Sequence, residues 1–487
     1  MSYHLLTGAT GLLGSYLLRD GLRAGRRMAV VARGSRCESA HARIETILAR
    51  WEQTEGQTLP RPVVFEGDLT AENLGLDDAA LRWVGRHCDS VLHNAASLTF
   101  HGGDRDGEPW RSNVGGTRRL LELCRQTGIK QFHYVSTAYV CGKRTGRILE
   151  SELDEQQELS NDYERSKLEA ERMVRDADHL DGPTIYRPPI IVGDSQTGYT
   201  PTFHGFYVPL KAAHVLVNEF VRGDHEKLLM MALGLTGGEC KNFVPVEWVS
   251  RVITYLYGRP KHHGRIYHLT SERRVKVSEA AEVMKRAIRT YSEEPDTREG
   301  RASDVEEFEQ IFSEQLELYG EYWRDDPVFD RTNTTAAAGH LPCPDVNEEM
   351  LMRLATFAIR SNFGRPRPRP IKPAFDAHGF LRQRLPMCNG SSDPSRLEKI
   401  WGLQIDGPGG GQWKLFVEDG HILAAEEGFD RRQLGVLRMH VETFQQLMGD
   451  QLTAQRAIDG GRIHIEGSRG EFTSLLAGLQ NTAGRAA

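Results

Sequence analysis

The sequence predicts an α/β fold with a doubly wound parallel sheet, a small helical lobe and a separate C-terminal α+β domain. Three observations predict it. Short apolar runs alternate with amphipathic segments over residues 1–270, and strands separated by helices imply right-handed crossovers and parallel pairing. Residues 271–363 have a mainly helical, charged pattern. Alternating apolar patterns return only at 395–487, beyond a proline-rich stretch.

The composition is that of an ordinary globular protein. The chain has 487 residues, 26% charged and 39% hydrophobic, with a net charge of -6, and this mild acidity argues against a general nucleic-acid binder. Seven scattered cysteines without a Cys-x-x-Cys pair fit a reducing compartment. No apolar run approaches the ~18 residues of a membrane helix, and the start, MSYHLLTGATGLLG, lacks the basic region of a signal peptide. We expect a cytoplasmic protein with no transmembrane segment, and leave peripheral membrane contact open.

Each apolar run of the first 270 residues predicts one strand. The runs are YHLLTGA, MAVVAR, PVVFEGDL, SVLHNAA, FHYVSTAYV and PTIYRPPIIVG. VSEAAEVMKRAIRTY and VEEFEQIFSEQLELYGEYW predict helices of the lobe at 271–363, and segments from about residue 199 add to it. We expect this substrate lobe to close over the carboxyl edge of the sheet.

A proline-rich stretch separates the lobe from the last domain. Proline at every second position of GRPRPRPIKP, residues 364–373, forbids a helix and favours a stiff extended path, so we predict a linker at 364–394. In the domain at 395–487, Asp419-Gly420 predicts a hairpin turn, and GGRIHIEG predicts a further strand. A helical stripe lies between them, formed by Val441, Phe444, Leu447, Met448 and Leu452.

The first predicted strand ends in a glycine-rich turn that opens a helix. Gly8, Gly11 and Gly14 have the spacing G-x-x-G-x-x-G. Glycines permit a tight turn and let the backbone approach a pyrophosphate, which lies at the helix N-terminus. The turn therefore predicts a dinucleotide site. Its other members are Thr10, Leu12 and Leu13.

The second strand ends without the acidic residue that would bind a ribose 2′-hydroxyl. Arg33 and Arg36 stand there, and guanidinium groups are suited to a 2′-phosphate. This favours NADPH, against the alternative of two solvated loop arginines. Asp68 ends the third strand, where it would face the adenine, and the small residues of HNAA at 93–96 would let a dinucleotide lie close to the end of the fourth.

The stretch YVSTAYVCG forms the end of a predicted strand. About two dozen residues later, Tyr163 begins the predicted helical stretch YERSKLEAE. Tyr163 and Lys167 lie four apart, so they share one helical face. Hydride reduction of a carbonyl builds negative charge on oxygen, which the Thr137 hydroxyl would stabilise and Tyr163 would protonate. An ammonium one turn away lowers the pKa of a phenol, so Lys167 is expected to lower that of Tyr163. The other charged residues of the stretch, Glu164, Arg165 and Glu171, are expected to face solvent.

The first ~360 residues resemble an extended short-chain dehydrogenase/reductase with a Rossmann-type sheet, and most of all the thioester reductases and fatty acyl-CoA reductases. STAYV at 136–140 is typical of that acyl-reducing branch, and Asn113 in NVGGT matches the family's Asn. YRPPIIVGDSQTG and NFVPVEWVSRVI match two further family stretches. The resemblance implies Thr137, Tyr163 and Lys167 as catalytic residues. The cofactor-binding residues that it implies are Gly8, Thr10, Gly11, Leu12, Leu13, Gly14, Arg33, Arg36, Asp68, Leu69, Asn94, Ala95, Ala96, Asn113, Tyr163, Lys167, Arg187 and Pro188.

The last ~90 residues resemble a sterol-carrier-protein-2 type lipid-binding domain. GQWKLFVEDG, VETFQQLMGDQLTAQRAIDGGRIHIEG and a helix starting near Phe472 match its strand–helix–strand order. The resemblance implies a lipid ligand in an apolar tunnel. The alternative, a folding or dimerisation appendage, uses the same apolar stripe and stays open.

The expected function is NADPH-dependent reduction of a hydrophobic acyl thioester, on CoA or a carrier protein, to an aldehyde, with further reduction to an alcohol left open. One alternative is an alcohol or ketone dehydrogenase, or an epimerase, acting on a steroid, terpenoid or sugar nucleotide. The other is a non-catalytic lipid-transfer or NADPH-sensing protein. No metal site is predicted, because His262-His263 is read as a solvated loop, and Cys141 is read as packing. TPTFHGFYVPL is expected to face the substrate.

Overall fold

A computed structural model of the chain describes residues 2–35, 38–100, 102, 104–219, 236–291, 323–364, 375–385, 399–407, 409–418, 421–428, 433–459, 462–467 and 475. The chain forms two compact units. The first comprises Met1–Ala40 and Val64–Arg367, and the second comprises His41–Val63 and Pro368–Ala487.

Seven strands of the first unit form one sheet in the order β11-β7-β5-β4-β1-β2-β3. Strand β1 lies between β4 and β2 and runs parallel to both. The strand order reverses beside β1, which is the doubly wound arrangement the sequence predicts, and ligands bind at the carboxyl ends of such strands. The strands of this unit are β1 Tyr3–Thr7, β2 Met28–Ala32, β3 Val63–Glu66, β4 Cys88–His93, β5 Gln131–Val135, β6 Arg147–Ile148, β7 Thr184–Arg187, β8 Ile190–Val192, β9 Cys240–Lys241, β10 Phe243–Pro245, β11 Ile266–His268, β12 Val275–Lys276 and β13 Val328–Phe329.

Two predicted strands are shorter than the apolar runs that indicated them. The run at 183–193 divides into β7 in the main sheet and β8, which pairs with β10 instead. Pro188-Pro189 separates the two, and proline has no N–H to donate to a ladder. The run at 132–140 stops at Val135, because Ala138–Cys141 forms a 3-10 turn.

Helices flank the strands in sequence, as the alternating pattern predicts. Asn161 caps the helix that carries Tyr163, since its Oδ1 accepts a hydrogen bond from Glu164 N at 2.9 Å. The helices are α1 Leu12–Arg23, α2 Ala40–Glu55, α3 Asp78–His87, α4 Thr117–Thr127, α5 Asp162–Arg175, α6 Tyr207–Glu219, α7 Val246–Tyr257, α8 Val277–Tyr291, α9 Thr332–Ala338, α10 Glu348–Arg360, α11 Ala377–Arg384, α12 Val441–Met448 and α13 Ala454–Asp459.

The predicted lobe has its own apolar core. Phe206, Tyr207 and Leu210 are buried there with residues of α8 and α10, so the segment after residue 199 joins the lobe as expected. These three side chains pack inside the lobe, whereas His204 of the same segment is exposed. The expectation that TPTFHGFYVPL faces the substrate stays a prediction. The helix predicted from VEEFEQIFSEQLELYGEYW lies almost wholly outside the described residues.

The second unit contains a five-stranded sheet in the order β16-β15-β14-β17-β18. Strands β15 and β16 form the predicted hairpin, whose turn at Asp419-Gly420 lies outside the described residues. Helix α12 buries Phe444 and Leu447 in the core, although it ends at Met448, before Leu452. The segment around Phe472 is likewise not described, except at Leu475. The strands are β14 Lys399–Asp406, β15 Gly411–Glu418, β16 His421–Glu427, β17 Gly435–His440 and β18 Ile463–Glu466.

Two features of the second unit differ from the sequence expectation. Helix α11 lies within the predicted linker 364–394, and its Ala377 and Leu381 are fully buried in the core of the unit. Proline periodicity ends at 373, so nothing prevents a helix beyond it. The segment His41–Val63, which the sequence places in the first domain, belongs to the second unit. Apolar periodicity predicts helix α2 but cannot say which body its buried face contacts.

Candidate active site

The glycine-rich turn joins β1 to α1. Gly8 has a φ of 75°, and a Cβ there would lie 2.7 Å from the backbone of Ala95, after β4. A Cβ at Gly14 would collide with the Gly8 carbonyl. A Cβ at Gly11 would lie 3.4 Å from the same oxygen, an ordinary contact, and Gly11 is exposed. The turn itself therefore requires Gly8 and Gly14, whereas Gly11 presents bare backbone to a ligand.

The N-terminus of α1 fits the phosphates of a dinucleotide. No side chain caps this helix, and its first turn contains no acidic residue. Uncapped N–H groups and the helix dipole together favour an anion. Thr10 and Leu12 are half-buried beside the turn and Leu13 is buried beneath it.

Arg33 lies after β2 and Asp68 after β3, as the sequence indicates. The Arg33 side chain is 62% exposed, and its Nη1 lies 3.9 Å from Asp68 Oδ2. Burial acts to raise the pKa of Asp68, but hydrogen bonds from Thr70 and the charge of Arg33 hold it below its usual range. Arg36 lies outside the described residues.

Sequence reasoning missed an acidic group in the same region. Glu66, at the end of β3, lies so close to Gly34 that a Cβ there would be 2.6 Å from its Oε1. Glu66 Oε2 accepts a hydrogen bond from Ala40 N at 3.0 Å. Parallel strands end at one edge of the sheet, so an acid on β3 reaches the end of β2, and this is the signal that reading each strand alone does not use.

The residues after β4 contact the glycine turn directly. Asn94 Nδ2 donates to Gly8 O at 3.4 Å, and Ala95 N donates to Thr7 Oγ1 at 3.3 Å. Ala96 is exposed beyond them. Leu69, after β3, leaves only 3.1 Å between its Cβ and a Cβ built at Gly116. All four lie where the predicted dinucleotide would bind.

The structure brings Thr137, Tyr163 and Lys167 together at the carboxyl end of β5. Thr137 is 3% exposed, and its side chain shares a hydrogen bond with the Tyr163 hydroxyl. The Pro188 carbonyl holds this corner, because it accepts from Ala138 N at 2.9 Å and from Thr137 Oγ1 at 3.4 Å. Lys167 is 1% exposed, and its Nζ donates to Val135 O at 2.7 Å. Two hydroxyls and an amine thus converge at one strand end, the combination that carbonyl reduction needs.

The expectation that Lys167 lowers the pKa of Tyr163 is wrong for this structure. Burial raises the pKa of Tyr163, and the hydrogen bond to Thr137 opposes the rise only in part. Burial also lowers the pKa of Lys167 to about 7, against the opposing effect of Glu171. Both shifts have one cause, since burial disfavours the charged form of each group.

Asn113 is a buried bridge between Ser97, in the segment after β4, and helix α5. Its Nδ2 donates to Ser97 O at 3.0 Å and to Ser166 Oγ at 2.9 Å, while its Oδ1 accepts from Ser97 N at 2.8 Å. Ser166 Oγ donates in turn to Tyr163 O at 2.8 Å. Asn113 therefore positions α5, and its assignment to cofactor binding stays a prediction.

Two acidic residues of helix α5 are buried, against the expectation that they face solvent. Glu171 is 0% exposed and pairs with the buried Arg187 at 2.6 Å and with Arg175 at 2.6 Å. Glu164 is 4% exposed, and burial raises its pKa to about 7. A helix that lies against a sheet buries more than its apolar stripe, so composition alone misleads. Arg165 is exposed as expected.

The guanidinium of Arg187 is committed to this buried network. Besides Glu171, it donates to the Glu152 carbonyl at 2.7 Å. Its side chain therefore ties β7 to α5, which the sequence did not reveal, and a role in cofactor binding remains a prediction.

Cys141 is 2% exposed, and burial raises the pKa of its thiol to about 12. The interpretation of Cys141 as a packing residue and not a nucleophile is therefore confirmed.

A cleft of about 890 Å³ lies on the lobe. Met352 and Phe357 of α10 give it an apolar floor, and Arg353 and Arg360 add positive charge. None of Thr137, Tyr163 and Lys167 lines it. The three residues predicted to be catalytic therefore lie outside this cleft.

A protein family accounts for this arrangement. The family model described as male sterility protein, of the NAD-binding type, matches residues 6–253, about half of the chain. The chain belongs to this family. The match includes the glycine turn, the three residues at the end of β5 and the strands that hold them, so this member of the male sterility family is an NAD(P)-binding protein.

Curated relatives contain a similar stretch, and the chain spans only part of each. A linear gramicidin synthase component from Brevibacillus parabrevis is 32% identical over 205 residues, 40% of this chain and 4% of that protein. Aldehyde reductase lnaA of Aspergillus flavus is 26% identical over 398 residues, 73% of this chain and 36% of that protein. L-2-aminoadipate reductase of Schizosaccharomyces pombe is 29% identical over 296 residues, 56% of this chain and 19% of that protein.

Solved structures share the fold of the male sterility family member. The terminal R domain from the myxalamid PKS-NRPS biosynthetic pathway has a TM-score of 0.58 and 26% identity, covering 74% of this chain and 92% of that chain. The reductase domain of a nonribosomal peptide synthetase from Mycobacterium tuberculosis has a TM-score of 0.52 and 19% identity over the same shares, 74% and 92%. The predicted parallel α/β sheet is thus confirmed.

Within the part of the chain that the structure describes, no helix combines the length and the apolar character that spanning a bilayer requires.

Proposed function

We propose that this chain uses NADPH to reduce a hydrophobic acyl thioester, carried on CoA or on a carrier protein, to an aldehyde. The observation that supports it most is the convergence of Thr137, Tyr163 and Lys167 at the carboxyl end of β5, in the same sheet as the strand that leads into the glycine turn. The 26% identity to an R domain covering 92% of that chain points to the thioester class.

The chain's own residues divide the work as follows. The cofactor supplies hydride when bound. Thr137 donates a hydrogen bond to the oxygen on which negative charge develops, and Tyr163 gives that oxygen its proton. Lys167, anchored on Val135 O, would donate to a ribose hydroxyl. The resulting hemithioacetal loses its thiol and leaves an aldehyde.

The preference for NADPH rests on Arg33 and Arg36, and Glu66 is the group that opposes it. A carboxylate near the 2′ position favours a hydroxyl, and guanidinium groups favour a phosphate. One oxygen of the Glu66 carboxylate accepts a hydrogen bond from Ala40 N at 3.0 Å, and the Arg33 side chain is 62% exposed after β2. Turnover with NADPH and NADH should therefore differ in favour of NADPH, and Arg33→Ala should reduce the difference.

The second unit is proposed to be a sterol-carrier-protein-2-like lipid carrier that delivers or captures the acyl group. Phe375, Phe380 and Phe444 support this, since their ring centroids lie 5.3 to 6.1 Å apart and Phe375 and Phe380 are only partly buried. Phe380→Asp should weaken binding of a fluorescent fatty acid by the full chain. Leu423→Asp, at a side chain 40% exposed on β16, is the matched control and should not.

One experiment tests the proposed reaction. Acyl-CoAs, acyl-carrier thioesters and a ketosteroid are offered with NADPH, and NADPH oxidation and free thiol are measured together. We expect one thiol released for each first hydride, and Tyr163→Phe should lower kcat by about 10²- to 10⁴-fold. If NADPH is oxidised with the ketosteroid but no thioester releases a thiol, the proposal is wrong and the chain is a ketone reductase instead.

A further inference from the structure

Three metal-ligating side chains of the second unit converge on one point. His41 and Glu45 lie one helical turn apart on α2 and Asp406 ends β14, and one ligand atom from each lies within 4.8 Å of the other two. Nothing in the sequence indicates the cluster, since Asp406 lies more than 300 residues from His41 and Glu45. Imidazole and carboxylate groups are the common nitrogen and oxygen ligands of divalent metal ions.

Asp406 is the best-placed ligand because one of its oxygens has no partner. The residue is 1% exposed. Its Oδ1 accepts from His41 Nε2 at 2.6 Å and from Gln404 Nε2 at 3.0 Å. Its Oδ2 is buried and makes no hydrogen bond with any described residue. A buried carboxylate oxygen left unpaired is costly, and a bound cation is one of the explanations that such an atom invites.

The charges around the cluster do not balance. Arg61 makes two hydrogen bonds to Glu52 and a third, at 3.2 Å, to Glu45. Arg438 pairs with Glu466. The cluster itself contains two carboxylates, Glu45 and Asp406, and the guanidinium of Arg61 that contacts it is shared with Glu52, so negative charge remains there that a divalent cation would neutralise.

A second imidazole lies on the neighbouring strand, outside the group of three. His440 of β17 is the direct register partner of Asp406 in the parallel pair β14–β17, so the two side chains stand on the same face of the sheet. Both ring nitrogens of His440 are buried and make no hydrogen bond with the described residues. His41 is 32% exposed, which leaves a path for an ion from solvent.

We propose that His41, Glu45 and Asp406 bind a divalent transition-metal ion of the zinc class, with His440 as the fourth ligand. The ion replaces the proton that His41 and Asp406 share. Because its ligands come from α2 and from two strands of the sheet, it fastens the segment His41–Val63 within the second unit.

Metal content of the full-length chain tests the site. After treatment with a chelator and dialysis against micromolar free zinc, we expect about one equivalent bound and a rise in Tm, because metal bound only by the folded state stabilises it. Asp406→Asn and His41→Ala should each lower the bound zinc at least tenfold. His378→Ala is the control: this histidine of the same unit is 40% exposed and pairs with Glu427 at 2.6 Å.

Two further readings keep the test decisive if a variant folds poorly. Cobalt bound to the unmutated chain should show the intense visible bands of a four-coordinate site. Circular dichroism will show which variants are folded. Binding below one-tenth of an equivalent by the unmutated chain, or equal loss in His378→Ala and the cluster variants, would mean that the cluster is only a proton-bridged ion network or that the zinc is adventitious.

Discussion

Lys167 shows how strongly burial governs single residues of this site. The residue is 1% exposed. Its Nζ donates a hydrogen bond to one backbone carbonyl and lies 4.2 Å from the centroid of the Tyr134 ring. A lysine with a pKa near 7 is suited to proton transfer at neutral pH, where it changes charge easily.

The lowered pKa of Lys167 predicts a stability that rises with pH. The unfolded chain keeps the proton up to about pH 10.4, whereas the folded chain releases it near pH 7, so the unfolded state binds more protons between these values. Between pH 7 and 9 the unmutated protein should gain about 2 kcal/mol of unfolding free energy relative to Lys167→Met. Urea unfolding of both proteins at pH 7, 8 and 9 measures the difference.

The control for this prediction is Lys130→Met, which removes an exposed lysine of the first unit and should leave the pH dependence of the unmutated protein unchanged. Parallel curves for the unmutated protein and Lys167→Met would show that Lys167 keeps its charge in the folded state.

The sequence could predict which residues gather at this site but not their ionisation. The order of glycine turn, strand-end threonine and Tyr-x-x-x-Lys is a property of the chain, and parallel topology places all three at one edge. The pKa of Tyr163 depends on how deeply its surroundings exclude water, and a local pattern does not contain that information.

At the scale of elements, the glycines of the turn have two different roles: Gly14 is needed for the turn to fold, whereas Gly11 is predicted to let a ligand approach the backbone. Gly14→Ala should lower the unfolding free energy by about 1 to 3 kcal/mol, because the added methyl group meets the Gly8 carbonyl. Gly11→Ala should change it by less than about 0.5 kcal/mol and instead weaken NADPH binding. Thermal unfolding without cofactor and calorimetric titration with NADPH separate the two effects; comparable destabilisation by both substitutions would contradict this division.

The ion pair between Glu171 and Arg187 fastens α5 to β7. Removing one partner of a buried pair leaves the other charge uncompensated, so Glu171→Gln should cost about 3 to 5 kcal/mol. Amide hydrogen exchange of α5 measures this local loss. Glu169→Gln, whose partner Arg105 is 73% exposed, should cost less than about 1 kcal/mol. Equal protection of α5 in the two variants would show that the pair contributes little.

Periodicity predicted the existence of α5 and missed its buried acids for a definable reason. Glu, Arg and Lys in YERSKLEAE are good helix formers, and their charge suggests a solvated surface. Glu171 is buried because Arg187 arrives from a strand 16 residues later in the chain. Such pairing is visible only once the crossover is folded.

At the scale of the whole molecule, the second unit is assembled from two separate stretches of chain. A truncation after residue 364, where the sequence places the domain boundary, keeps His41–Val63 but removes the rest of its unit. Ile44 and Leu48, both 0% exposed in the full chain, should then exchange amide protons rapidly, and the truncated protein should aggregate.

Hydrogen exchange by mass spectrometry, peptide by peptide, checks this expectation. The strands β4 and β5 of the first unit serve as the internal reference and should stay protected. Equal protection of residues 41–63 with and without residues 365–487 would show that the segment holds its structure without the second unit. The proline periodicity of residues 364–373 indicates a stiff stretch of chain, but composition does not tell which segments share a core.

Because the second unit is built from two distant stretches of chain, its first stretch is synthesised well before the stretch that it packs against. Residues 41–63 leave the ribosome about 300 residues before their partners, a delay of about 15 to 60 seconds at ordinary elongation rates. During that interval the apolar side of α2 should be exposed on the nascent chain, where it could aggregate or bind chaperones. A gene fusion or domain exchange cut at the proline-rich stretch would make the delay permanent, because a newly attached C-terminal domain would never meet the helix that its predecessor was built around.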